Sequence, residues 1–367
     1  MKKVLALLII IPLIFCSCRE SEQIDELSFV KLLAIDKTDQ GLILTAGIQV
    51  PTSKKDEKPG SELISVTCQT LSQGLNFIES ATEKKIFYGQ VSCVLLGEKM
   101  AQAGIIDTID YLVRSDELRF DIPVVVVKEK QAKEVVEKNK NNETHISERI
   151  EKMLESNYST STSGVIELST LVEMLEDPYR SAYLPYIEAK EDDNFSVKGY
   201  CVFNKDRLIS YADEQQSLGI NFLNSTVKNC LFVAQIDQKL ITLKISGFKS
   251  KISLKDGAYE IKMNFKSEVV QADSDIQLFD KNLNEKIVES QNAWSEKICQ
   301  DTMNYLKEHG CDVATFGDTF HNKNPKEAEK YIKNWSETFK KITYKISIKS
   351  KTDPAKTSGK PVKQGGD

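Results

Sequence analysis

Leu42-Ile43-Leu44-Thr45-Ala46-Gly47-Ile48-Gln49-Val50 sets Leu42, Leu44, Ala46, Ile48 and Val50 on one side of an extended chain and Ile43, Thr45, Gly47 and Gln49 on the other. Successive side chains of a strand point to opposite faces, so this period of two predicts a half-buried strand. Pro51, which lacks an N–H for the ladder, ends it. Upstream, Asp36-Lys37-Thr38-Asp39-Gln40-Gly41 resembles the start of a calcium loop, but Gly47 stands where such a loop needs a bidentate glutamate. A tight turn into the strand is therefore expected there. Downstream, a polar loop at 53–60 precedes strands expected at 62–70, 91–96 and 124–127. Helices are expected between and after them, at 71–83, 100–114 and 130–138. A polar break at 139–144 and a Ser/Thr-rich stretch at 156–163 lead to a further helix at 167–175.

The second half repeats this mixture. Strands are expected at 197–203 and 240–245, and Asp256-Gly257 joins 251–254 to 259–265 in a hairpin, because a type I′ turn needs residues that accept positive φ. A long helix at 283–308 places Ile287, Trp294, Ile298 and Tyr305 on one stripe, and Gly310 is placed to stop it. A helix at 326–341 is followed by a closing strand in which Ile342, Tyr344, Ile346 and Ile348 alternate with polar residues. Residues 351–367 are rich in Lys, Pro, Gly and Ser and predict a disordered basic tail. Pro185 and the acidic run 188–193 mark a division near residue 190, giving regions 18–190 and 191–350. Interspersed strands and helices of this kind predict an α+β fold with mixed sheets and packed helices, in more than one domain.

The amino terminus decides where the chain goes. Lys2 and Lys3, an apolar run from Val4 to Phe15, and Cys16-Ser17-Cys18 follow in the order of a signal peptide, so residues 1–17 are expected to be removed. The run is too short to cross roughly 30 Å of hydrocarbon, and Pro12 interrupts it. Small residues before Cys18 fit a lipobox, although Phe15 replaces its usual leucine; at Cys16 the preceding Ile14 and Phe15 are too bulky. Cys18 is the expected acceptor of a diacylglyceryl group, whose two acyl chains hold a protein stably at a bilayer. A formal charge of −5 argues against nucleic acid as a partner. Cys68, Cys93, Cys201, Cys230, Cys299 and Cys311 form no CxxC pair, and His145, His309 and His321 stand apart. They read as scattered small apolar residues, with a Cys68 to Cys93 disulfide left open.

No P-loop, dinucleotide fingerprint, GxSxG or HExxH occurs, so neither an enzyme nor a cofactor is expected. A noncatalytic receptor subunit, a solute-binding lipoprotein of a transporter and a cell-envelope hydrolase are the classes compared.

The segment Cys18-Arg19-Glu20-Ser21-Glu22-Gln23-Ile24-Asp25-Glu26-Leu27 resembles the mature amino terminus of the Ger(x)C, or GerAC-type, spore germination lipoproteins, the C subunits of germinant receptors. The resemblance continues through Ala34-Ile35-Asp36-Lys37, Gln49-Val50-Pro51, Lys85-Ile86-Phe87-Tyr88-Gly89-Gln90, Leu95-Leu96-Gly97-Glu98 and Arg114-Ser115-Asp116-Glu117-Leu118-Arg119. Leu184-Pro185, Gly199, Val202-Phe203, Gly310-Cys311-Asp312-Val313, Phe316-Gly317, Trp335 and Phe339 complete it. Arg19 replaces the family's usual Trp, and Gln90 stands where His is common. The resemblance implies three compact α+β units on the outer face of the inner spore membrane, beside a multi-spanning A subunit and a permease-like B subunit. It makes Tyr88, Gly89, Gln90, Arg114, Glu117, Arg119, Asp312, Phe316 and Gly317 candidate contact residues. From the residues alone, Arg114, Glu117 and Arg119 could cap a helix, pair with each other or face a partner. Asp312 could bond to backbone amides in its turn, and Gly89 could permit a bulge or a close approach.

Overall fold

The computed structural model describes residues 27–50, 60–139, 145–190, 194–273 and 280–353. Strand β1, Leu27–Thr38, turns through Asp39 and Gln40 into β2, Gly41–Val50, with Thr38 opposite Gly41 in an antiparallel register. The tight turn expected before Leu42 is thus present. β3, Gly60–Cys68, adds antiparallel to β2. β2 is more than half-buried: Thr45, on its polar side, is 0% exposed, and Gly47 lies under the His145 ring. Helix α1, Leu71–Ser80, is capped by the Thr70 hydroxyl, which accepts from the Gln73 amide at 3.2 Å. β4, Lys85–Phe87, and β5, Cys93–Gly97, both run parallel to β1.

The helix expected at 100–114 is two helices, α2, Glu98–Ala103, and α3, Ile106–Arg114, because the chain turns at Gly104. β6, Val124–Lys128, runs parallel to β5 and buries Val124, Val125, Val126 and Val127 completely, as a strand covered on both faces must. α4, Ala132–Lys138, follows. α5, Ile146–Thr160, occupies residues whose Ser/Thr-rich end had masked a helix. Its signal is Ile146, Ile150 and Leu154, four apart and buried. α6, Leu168–Glu176, leads into β7, Tyr183–Ala189, parallel to β6, and then into the antiparallel β8, Phe195–Asn204, and β9, Arg207–Tyr211. The sheet order is β3-β2-β1-β5-β6-β7-β8-β9, with β4 also on β1. The division at residue 190 falls inside this sheet, between adjacent strands β7 and β8.

The change of sheet comes after β9. α7, Glu214–Asn224, starts with a capping box between Asp213 and Gln216. The second sheet has the order β10, Asn229–Ile236, β11, Lys239–Lys255, β12, Ala258–Ala272, and β13, the closing strand Tyr344–Asp353. Asp256 and Gly257 take φ of 50° and 81° in the expected hairpin turn. α8, Lys281–His309, lies against this sheet, and Gly310 ends it in the left-handed region at φ 66°. Ile287, Ile298 and Tyr305 on its stripe are buried, whereas Trp294 is half-buried and stacks on Phe232 at 4.7 Å. The helix expected at 326–341 is interrupted. After α9, Phe316–Lys323, come α10, Pro325–Ala328, a 3₁₀ turn Ile332–Asn334 and α11, Trp335–Phe339. Ala328, Trp335 and Phe339 all reach the core.

β13, Tyr344–Asp353, runs parallel to β12. It therefore extends past residue 350, and Thr352 bonds to Ser267 at 3.0 Å, so Lys351, Thr352 and Asp353 belong to the strand rather than to the tail. The rest of the expected tail, the expected signal peptide, Cys18, most of the 53–60 loop and the break at 140–144 lie outside the described residues. Two mixed sheets with packed helices make the expected α+β class. All six described cysteines are buried and free, and burial pushes the Cys230, Cys299 and Cys311 thiols up to about 12. Among the described residues no helix is long and apolar enough to cross a membrane.

Candidate functional site at the junction of the two sheets

Strings far apart in sequence meet at two buried aspartates. Asp36, on β1, is 1% exposed and accepts from the Ala132 amide at 2.7 Å and the Lys133 amide at 2.9 Å. It thus caps α4 from another element, since that helix's own N-cap residue, Gln131, supplies no side-chain bond. Burial raises its carboxyl above the ordinary value, and the two amide bonds offset only part of the rise. Gly97, at the end of β5, packs directly over the carboxylate: a β-carbon there would collide with Asp36 Oδ1.

The second aspartate organises the turn after α8. Asp312 is 1% exposed, and its oxygens accept from the Ala314 amide at 3.2 Å, the Gly317 amide at 2.8 Å and Trp335 Nε1 at 3.0 Å. Local bonding to turn amides is therefore present, together with an indole from α11. Burial outweighs these three donors and pushes the carboxyl up to about 7. The same turn ties both sheets together. The Asp312 carbonyl accepts from the Ser181 amide at 2.7 Å, and Cys311 Sγ donates to the Phe203 carbonyl at 3.5 Å. Asn224 donates to the Val313 carbonyl at 3.1 Å, and the Tyr259 hydroxyl to the Phe316 carbonyl at 3.1 Å. Phe316 is fully buried and Gly317 packs against Tyr179 with no room for a side chain.

The remaining candidate contact residues separate into buried and exposed. Tyr88 is 2% exposed, so it cannot offer its ring to a partner, and burial raises its phenol. Gly89 allows the close approach of the Phe87 ring, 2.7 Å from where a β-carbon would stand. Gln90 is exposed and accepts from Lys31 Nζ at 2.6 Å. Arg114, Glu117 and Arg119 are exposed, and the two arginines pair with other residues than each other: Arg114 with Asp110 at 2.9 Å, Arg119 with Asp121 at 2.8 Å. Phe120, 54% exposed, continues this ridge.

Beside Trp335 opens a cleft of about 610 Å³, between the end of α6, the β8–β9 turn and α11. Arg180, Asp177, Tyr179, Asn204, Asp206 and Ser336 line it. Among the described residues Arg180 Nε has no hydrogen-bond partner. Asp318 hydrogen-bonds to Asp177, and burial together with the Asp177 charge pushes Asp318 up to about 6. Tyr179 lies 3.3 Å from His321 Nδ1 and edge-on to Trp335. Sequence reasoning missed this group, although the Asp177-Pro178 turn and the i, i+3 pair Asp318 and His321 beside Phe316-Gly317 were visible. Its chemistry is ionic and hydrogen-bonding, suited to holding a polar group. Among the described residues no cluster of three or more His, Cys, Asp or Glu could hold a metal ion.

Residues 20–189 match the family model described as spore germination protein N-terminal domain, and residues 198–353 match that described as spore germination B3/GerAC like, C-terminal. The chain belongs to the GerAC-type spore germination protein family. Spore germination protein B3 of Bacillus subtilis (strain 168) is 21% identical, with 95% of this chain and 96% of the relative covered. Spore germination protein KC of the same organism is 20% identical, with 92% of each covered. The crystal structure of the GerBC protein matches with a TM-score of 0.59 at 18% identity, over 87% of this chain and 96% of that one. The GerAC-type fold is thus shared across both sheets. Within this GerAC-type chain, Asp36 with Gly97, and Asp312 with Gly317 and Trp335, join strings of the sequence resemblance into structural contacts.

Proposed function

We propose that this chain is a noncatalytic subunit of a spore germinant receptor, the C subunit, anchored through a diacylglyceryl group on Cys18 at the outer face of the inner spore membrane. The observation that carries the reading is family membership extending from residue 20 to residue 353, in a chain whose first eighteen residues have the pattern of a lipoprotein precursor. Such a subunit works through extended surfaces. Gln90, Arg114, Glu117 and Arg119 are its proposed contacts with the multi-spanning A subunit or the permease-like B subunit. Buried Tyr88, Asp312, Phe316 and Gly317 act by holding the fold that presents them. The cleft beside Trp335 gives the solute-binding alternative its foothold.

In a strain lacking redundant receptors, deletion of the chain is expected to abolish germination by a small-molecule germinant while a receptor-independent trigger still works. A normal germinant response would remove the receptor reading. Saturable micromolar binding of the germinant to the isolated chain, followed by calorimetry, would favour the solute-binding alternative. Cys18→Ala is expected to leave an unprocessed or released protein, and Cys16→Ala to remain lipidated. Mass spectrometry of the mature amino terminus decides this, and an unmodified residue 18 would exclude the anchor.

A further inference from the structure

The outward face of the second sheet carries a charge pattern opposite to that of the whole chain. Register places Ser246, Lys266 and Lys351 on one rung across β11, β12 and β13. Lys249, Asn264 and Lys349 form the next rung, and Lys251, Lys262 and Ser347 the third. Inward neighbours such as Ile261, Met263 and Phe265 are buried, so these positions share the solvent side. Six lysines thus stand on nine positions with no acidic residue among them, in a chain of net charge −5. Lys251 is directly opposite Lys262, and Lys266 directly opposite Lys351. Like charges facing each other across strands destabilise a sheet, so the arrangement calls for an anionic surface to offset it. Acidic residues sit only on the flanking rungs, at Glu260, which pairs with Lys262 at 2.9 Å, and at Glu268 and Asp353.

Protection of a sheet edge against aggregation is the other use of strand lysines, and it accounts for Lys349 and Lys351 on the edge strand β13. It does not account for Lys249, Lys251, Lys262 and Lys266, because β11 and β12 are interior strands. Beyond the Lys244 rung, the same face turns aliphatic at the β10 end. Leu231 is 65% exposed, Val233 54%, Leu240 52% and Val270 42%. Leu231 faces Lys244 across the ladder, which joins the two patches.

We propose that this face lies against an anionic phospholipid bilayer, with the lysines on headgroup phosphates and the aliphatic rim in the interface. Lysines are compact point charges that suit a fluid array of phosphates, whereas planar carboxylate recognition favours arginine forks, and the nine positions hold no arginine. They hold no aromatic ring either, which single-stranded nucleic acid would use for stacking. The exposed aliphatic rim has a use at a bilayer that an acidic peptide does not supply.

The test uses the chain from residue 19, which lacks the lipid acceptor and retains every described residue, so its outcome bears on the face and not on the anchor or the receptor reading. Co-sedimentation is measured with vesicles of phosphatidylcholine containing about a third phosphatidylglycerol, and with phosphatidylcholine alone. Binding is expected only to the anionic vesicles, weakening as salt rises. Lys251→Gln, Lys266→Gln and Lys349→Gln together are expected to weaken it on the order of a hundredfold, with melting unchanged or slightly raised because Lys251 and Lys266 each face another lysine. Leu231→Ser with Val233→Ser is expected to weaken it severalfold, and Lys99→Gln, Lys152→Gln and Lys330→Gln on other surfaces to leave it within about twofold. Equal binding to neutral vesicles, no effect of the first triple, or equal loss in the control triple would overturn the proposal. Retention on a polyglutamate matrix without vesicle binding would overturn it in favour of an acidic protein partner.

Discussion

Asp312→Ala is expected to destabilise the chain by about 3–5 kcal/mol, a large part of the stability of an ordinary domain. The carboxylate is the shared acceptor for two backbone amides and the Trp335 indole, all buried, and alanine leaves each donor without a partner. Because the same turn is tied to Ser181, Phe203, Asn224 and Tyr259, the loss reaches both sheets. Asp312→Asn, which keeps one acceptor oxygen, should cost less and supplies the pH control. Burial pushes the folded carboxyl up to about 7 from an ordinary 3.8. Between those values the folded state holds a proton that the unfolded state has released, so raising the pH favours unfolding. The Asp312 contribution is full below about pH 4, is lost progressively towards pH 7, and changes no further above it. Urea unfolding of wild type and Asp312→Asn at pH 4.5, 6 and 7.5 should therefore show the wild-type advantage shrinking as pH rises. A difference independent of pH would mean that the aspartate titrates normally.

Gly97→Ala is expected to cost about 2–5 kcal/mol, the sum of overpacking a closed site and losing a helix cap. The backbone at Gly97, with φ −64° and ψ 154°, suits alanine, so the cost is steric. The new methyl would meet Asp36 Oδ1, which two amides of α4 hold in place. To make room the carboxylate must leave the helix terminus. Asp36→Ala removes the nearest obstruction and leaves only the Ala132 amide nitrogen close, at 3.3 Å, so Gly97→Ala in that background should cost much less. A double-mutant cycle by denaturant unfolding measures this coupling. Additive losses would show that Gly97 and Asp36 act independently.

Much of the local structure was legible. The period of two in 42–50, the Asp256-Gly257 turn and the Gly310 stop depend on interactions within a few residues, and each lies where expected. The helix expected at 100–114 came out broken because Gly104 turns the chain, and the one expected at 326–341 keeps its buried stripe of Ala328, Trp335 and Phe339 although a 3₁₀ turn at Ile332–Asn334 interrupts it. α5 was missed because its last turns, Ser156 to Thr160, are polar and Ser/Thr-rich, and these hid the buried stripe of Ile146, Ile150 and Leu154 that precedes them.

The candidate site was legible only as separate strings. Sequence alone established the α+β class, the lipoprotein-like amino terminus and the family resemblance, since these rest on composition, periodicity and short motifs. Only the tertiary structure decided that Asp36 meets Gly97 and the α4 terminus, and that Asp312 meets Gly317 and Trp335. It also decided that Tyr88 is inside, and that lysines from β11, β12 and β13 share one face. The physical reason is common to all of these. Each depends on strand register and on packing between elements tens of residues apart, and neither is encoded in the spacing of neighbouring residues.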